Sequence, residues 1–154
     1  MSTTDNFDWS DPRLADHWFG RLAALFYHRD IEVVIGWREL GTAMALAVAR
    51  HISHAKLLVE PVRFTYYQRN GDCRESLAAN GLPLVRGKKV LIVTDRLTEA
   101  NRGTIRGVAE ELARDGATGV DIGVFTNATA TGVFQNVRFG TEDKLVRITA
   151  LIGS

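Results

Sequence analysis

Asp95 follows the apolar run Val90–Val93 and precedes a small, polar loop and then an amphipathic helix. That order of residue types is the layout of a phosphate-binding site. Free backbone N–H groups at a helix start, reached through a flexible loop, favour bound anions. The candidate site therefore runs from Asp95 to Thr104, with Thr98, Glu99, Ala100, Asn101, Arg102, Gly103 and Thr104 around the bound group. Plainer roles exist for each residue type. An aspartate after a strand can cap a turn or a helix, and a threonine before a helical run can be its N-cap. Arg102 can pair with a phosphate in two-pronged fashion, or its bulk can fill the space where the ligand would sit.

A second segment of the same kind spans Ile31–Arg50, IEVVIGWRELGTAMALAVAR. Its apolar strand ends in a loop from Gly36 to Gly41, where Arg38 could meet a phosphate oxygen and the Gly41 amide could add a donor, with Glu39 and Leu40 between them. The alternative for Arg38 and Glu39 is an exposed ion pair worth at most about 1 kcal/mol. Trp37 could stack on a planar ligand or simply pack against the sheet.

These loops need a scaffold, and the pattern supplies one. Val90–Val93 reads as a strand buried on both faces, as in a parallel sheet covered by helices. Ile105, Val108, Ala109 and Leu112 recur at helical spacing, and Gly116 suits the helix end. Lys56–Val59 and Val62–Tyr67 read as further strands. Near the amino end, Ser10 or Asp11 caps a helix with Pro12 in its first turn and an apolar stripe of Leu14, Trp18, Leu22 and Leu25. At the other end Val137–Phe139 and Leu145–Ile152 flank the polar turn Gly140–Asp143 and read as a hairpin. The fold class is α/β, a mainly parallel sheet flanked by helices. Residues 1–154 form one domain, with 1–30 an N-terminal helix, 31–125 the core and 126–154 the C-terminal hairpin.

Composition narrows the function. With 154 residues, 45% of them hydrophobic, the chain can bury a core without disulfides or structural metal. Nineteen basic against eighteen acidic residues leave a formal charge of +1, so no global field draws the protein to nucleic acid or to an anionic membrane. Cys73 is the single cysteine, which rules out an internal disulfide and suits a reducing, cytoplasmic setting. No apolar run approaches the ~20 residues of a membrane span, and the first residues lack the form of an export signal. His17, His28, His51 and His54 show no metal-ligand spacing and read as structural or surface residues.

The stretch VLIVTDRLTEANRGT resembles the ribose-phosphate signature of type I phosphoribosyltransferases, in which a hydrophobic strand ends in two acids before a loop rich in Thr and Gly. Here Thr94 replaces the first acid, Asp95 keeps the second, and Arg102-Gly103-Thr104 closes a longer loop than usual. Gly36, Gly41 and Ala43 fit the family's pyrophosphate loop and the helix after it, and GLPLVRGKKVLIV resembles the approach to the signature strand in orotate-type members. The resemblance implies phosphoribosyl pyrophosphate with Mg²⁺ as ligand and cofactor, and transfer of phosphoribose to a nitrogenous base. Asp95 would be the catalytic carboxylate at the ribose hydroxyls. Thr98 to Thr104 would bind the 5′-phosphate and ribose, and Arg38, Glu39, Leu40 and Gly41 the pyrophosphate.

Tyr66, Tyr67, Gln68 and Arg69 precede a polar stretch that resembles, by position, the family's mobile catalytic loop, with Arg69 and Arg74 as its basic candidates. The two chain ends would build a hood that selects the base, and a homodimer is expected. The other functional class is a domain of this fold without turnover, binding a nucleotide, a nucleic acid or a protein partner as a regulator or subunit. A nucleotide-binding α/β domain unrelated to the family is a further reading, since strand-loop-helix units recur across folds.

Overall fold

The computed structural model describes residues 9–69, 75–78 and 81–152. The order of elements is α1 (Pro12–Ala24), β1 (Val33–Gly36), α2 (Arg38–Ala55), β2 (Arg63–Arg69), β3 (Glu75–Leu77), α3 (Gly81–Val85), β4 (Lys89–Leu97), α4 (Arg102–Arg114), β5 (Gly119–Asn127), β6 (Val133–Phe139) and β7 (Glu142–Ile152). The strands form one seven-stranded sheet in the order β3-β2-β1-β4-β5-β7-β6. Strands β2, β1, β4, β5 and β7 run parallel, while β3 and β6 are antiparallel to β2 and β7.

Burial follows the sequence pattern. Every residue of β1 is buried, and β4 and β5 are buried along most of their length, whereas β2 alternates. This is how central parallel strands under two helical layers differ from a strand near the sheet edge. On one face α1 and α2 bring Leu22, Phe26, Met44, Val48 and Ile52 onto Val34, Leu91, Val93 and Phe125. On the other, α4 and the β6–β7 hairpin bring Ile105, Val108, Leu112, Phe134 and Val146 onto Ile35, Ile92, Val120 and Val124.

Asp11 caps α1, its side chain accepting from the amides of Arg13 and Leu14 at 3.0 and 3.4 Å, with Pro12 at the first helical position. The buried stripe is Ala15, Phe19, Leu22 and Ala23, not the expected one, and Leu14 stays 39% exposed. Both stripes share Leu22; the aromatic Phe19 wins the inward side and packs on Phe125.

Lys56–Val59 is a turn where a strand was expected. The amides of Lys56, Leu57 and Leu58 bond back to α2 carbonyls, Leu57 takes φ +51°, and Leu57 and Val59 are 83% and 96% exposed. The run is apolar enough for a strand, but it has no sheet neighbour. The C-terminal hairpin is present and longer than expected, with a register shift between Phe134 and Val137 where Asn136 takes φ +58°.

Candidate functional site

Strand β1 leads through α2 to β2 on one side, and β4 leads through α4 to β5 on the other. The crevice between the carboxyl ends of β1 and β4 is thus a topological switch point, where open α/β sheets bind ligands. A cleft of about 680 Å³ opens there, lined by Arg38–Thr42 at the start of α2, Tyr66–Arg69 at the end of β2, Glu75 and Asp95. The structure therefore brings Arg38, Glu39, Leu40, Gly41, Arg69 and Asp95 together. Thr98–Thr104 do not line this cleft, and Arg74 lies outside the described residues.

The β1–α2 corner is built by close packing of backbone. A Cβ on Gly36 would lie 2.2 Å from the Gly41 carbonyl oxygen, and one on Gly41 would lie 2.9 Å from the Val93 carbonyl oxygen. The Trp37 amide bonds to that same Val93 carbonyl at 3.1 Å. What was expected as a loop is an immediate entry into α2 at Arg38, whose φ of +67° is costly for a residue with a side chain, on the order of 1–2 kcal/mol. Its side chain is held from two sides. The guanidinium lies 4.3 Å from the centroid of the Trp37 ring and 3.4 Å from a Glu75 carboxylate oxygen. The Trp37 indole N–H donates to the other Glu75 oxygen, so the tryptophan, 1% exposed, is packing rather than a stacking platform.

At the second corner β4 runs through Asp95 and Arg96 to Leu97, past the point where the apolar run ends. Thr94 is buried, and its hydroxyl donates to Asp95 Oδ1 at 3.4 Å. The residues between Leu97 and α4 then fold onto themselves. The Asn101 side-chain oxygen accepts from the Thr98 amide at 2.8 Å, its Nδ2 donates to the Arg96 carbonyl at 3.0 Å, and the Thr98 hydroxyl accepts from the Asn101 amide at 3.2 Å. Arg102 donates its amide to the Thr98 carbonyl and pairs its side chain with Glu99 at 3.4 Å. It does not line the cleft. A Cβ added to Gly103 would meet nothing within 4 Å, and no residue at the start of α4 lines the cleft.

Sequence reasoning gave Glu75 no role. It enters the site through a long-range pairing, which sets Glu75 opposite Arg69 across β2 and β3. Tyr67 was noted only for its neighbours. Its side chain is buried, its hydroxyl has no hydrogen-bond partner among the described residues, and burial together with Glu111 and Asp115 holds its ionisation far above the ordinary tyrosine range. It is a neutral phenol at any working pH. Burial and the nearby Asp115 likewise raise the pKa of Glu111.

Among the described residues no group of three or more His, Cys, Asp or Glu could hold a metal ion. His51 Nε2 instead lies 3.0 Å from Asp16 Oδ1 and joins α2 to α1. The cleft does carry the carboxylates Glu39, Glu75 and Asp95. That donor set fits Mg²⁺ arriving with a ligand's phosphates, bound through one carboxylate, rather than a dedicated protein cage. Among the described residues neither α1 nor the hairpin lines the cleft: α1 packs on α2, and β7 pairs with β5 so that the hairpin extends the sheet. The described part of residues 126–154, the expected hairpin, extends the sheet. Its alternating apolar residues bury against α4 once β7 pairs with β5.

The fold this site sits in is that of the type I phosphoribosyltransferases, a curled mixed sheet between helical layers. The solved structures that match include orotate phosphoribosyltransferase from Aeropyrum pernix, at 18% identity and TM-score 0.64, with 94% of this chain and 73% of that one covered. Adenine phosphoribosyltransferase from Saccharomyces cerevisiae matches at 14% identity and TM-score 0.64, covering 94% and 82%. A purine phosphoribosyltransferase from Pyrococcus horikoshii matches at 16% identity and TM-score 0.57, covering 79% and 76%. No family model and no curated protein matches the sequence. At these identities the likeness is one of fold. No helix among the described residues is long and apolar enough to cross a membrane.

Proposed function

We propose that the protein is a cytoplasmic phosphoribosyltransferase-like protein that binds phosphoribosyl pyrophosphate with Mg²⁺ in the switch-point cleft and transfers its phosphoribosyl group to a nitrogenous base. The observation that carries this reading is the placement of Asp95, at the end of β4, in one cleft with the first turn of α2 and Arg69. In the reaction the bond from the anomeric carbon to pyrophosphate breaks as a bond to the base nitrogen forms, and that nitrogen loses its proton. Asp95 would accept from the ribose hydroxyls beside the carbon where positive charge develops. Arg38, Arg69 and the amides of the first turn of α2 would take the departing negative charge, with Mg²⁺ supplying further neutralisation when bound. The neighbours' names cover both purine and orotate types, and the orotate-like stretch before β4 favours a pyrimidine-type acceptor.

The test is calorimetry with phosphoribosyl pyrophosphate and Mg²⁺. The parent protein should bind, and Asp95→Ala should weaken binding by about tenfold or more, the scale of one charge-assisted hydrogen bond. Absence of binding at millimolar ligand overturns the reading. A second reading, a regulator that binds nucleotide without turnover, is favoured by one observation: the Thr98, Asn101 and Arg102 amides, which would help grip a phosphate, are bonded within their own loop. Binding without pyrophosphate release in the presence of any common base selects it.

A homodimer is part of the proposal. Of the exposed large hydrophobics among the described residues, Leu46, Leu57, Leu58, Val59, Phe64 and Tyr66 gather on α2, the turn after it and β2, whereas the hairpin shows only Leu145. Patches of that kind mark interaction surfaces. Sedimentation should give a dimer that Phe64→Asp dissociates; a parent protein that sediments as a 17.0 kDa species contradicts it.

A further inference from the structure

The Glu75 carboxylate occupies a ready-made anion site. One oxygen accepts the Trp37 indole N–H and the other lies 3.4 Å from the Arg38 guanidinium, at the start of an 18-residue helix whose first turn carries unpaired amides. Arg69 stands opposite Glu75 in the β2–β3 register and lines the same cleft. The carboxylate is itself largely withdrawn from water, its side chain 15% exposed. A half-buried acid held by an indole N–H and a guanidinium beside a helix start has the partners an oxygen of a phosphate or pyrophosphate would take.

Resting on the reading of the cleft given above, we propose that Glu75 is an internal ligand that competes with the incoming anion, so that the pyrophosphate side of the cleft is self-occupied until a polyanion displaces it. Geometry makes the exchange feasible. Glu75 begins a three-residue edge strand paired with Tyr67, Gln68 and Arg69, so its departure leaves the rest of the sheet paired. Competition follows from charge. With Glu39, Glu75 and Asp95 set against Arg38 and Arg69 among the lining residues, the resting cleft has no cationic excess. Withdrawing one carboxylate removes the net negative charge and frees Arg38 to pair with an anion, whereas a polyanion arriving beside Glu75 meets like charge at short range.

The probe is inorganic pyrophosphate, titrated into the parent protein, Glu75→Gln and Glu75→Asp, with folding checked by circular dichroism. Gln keeps the hydrogen-bonding shape and removes the charge; Asp draws the carboxylate back by one methylene while the strand keeps its register. Both should bind pyrophosphate more tightly, Glu75→Gln by about tenfold, and adding Arg38→Gln to Glu75→Gln should erase the gain. Equal or weaker binding by Glu75→Gln, no binding by any variant, or a gain that survives Arg38→Gln overturns the proposal. The outcomes separate it from the transferase reading. Tighter pyrophosphate binding by Glu75→Gln in a protein that ignores phosphoribosyl pyrophosphate leaves the self-occupied site standing and removes the transferase. Tight phosphoribosyl pyrophosphate binding unchanged by Glu75→Gln does the reverse.

Discussion

At the β1–α2 corner the strand stops at Gly36 and the helix begins at Arg38, while at the β4–α4 corner the strand continues beyond Asp95 to Leu97 and a capped loop intervenes before Arg102. Both corners are a buried parallel strand feeding an amphipathic helix. Only the first presents its helix start to the cleft. The difference lies in where the backbone donors go. At the first corner glycines bring main chain against main chain and leave the opening turn of α2 facing the crevice; at the second, Asn101 and Thr98 satisfy the loop internally. A shared order of strand, loop and helix therefore does not fix whether its amides are available to a ligand.

Glycine substitutions break the comparison hardest. Gly36→Ala drives a Cβ into the Gly41 carbonyl and should cost at least about 3 kcal/mol in denaturant unfolding. Gly103→Ala meets nothing within 4 Å and should instead stabilise by about 0.5 kcal/mol through helix propensity. Comparable losses from the two would show that the second corner is as tightly built as the first. A smaller effect sharpens the contrast. Asn101→Ala removes the acceptor for the Thr98 amide and the donor to the Arg96 carbonyl, and should cost about 1–2 kcal/mol. If the loop's amides are then free, phosphoribosyl pyrophosphate should bind the variant at least as tightly as the parent, and weaker binding would place the loop in the site after all.

Much of the architecture was legible because burial leaves a periodic trace. The apolar runs of β1 and β4, the stripe on α4 and the cap at Asp11 fall where the pattern placed them. Asp95 and the Arg38–Gly41 segment were legible as cleft residues by their position after strands. The rest depended on partners distant in sequence. Asp95 and Arg96 carry polar side chains that hide the continuation of β4, which main-chain pairing with β5 sustains as far as Leu97↔Asn127. Leu57 and Val59 look like core but lack a neighbour. Glu75 becomes informative only when the hairpin puts it against Arg38.

The contact between Gly36 and Gly41 has a mechanical consequence. No side-chain cushion separates strand from helix, and the Trp37 amide is tied to Val93, so a shift of α2 against β1 or β4 meets backbone at once. The opposite wall, the end of β2 with the short β3, is joined to the sheet through β1 on one flank only. The two walls thus differ in how they are held: one by main chain against main chain, the other by strand pairing at the sheet edge.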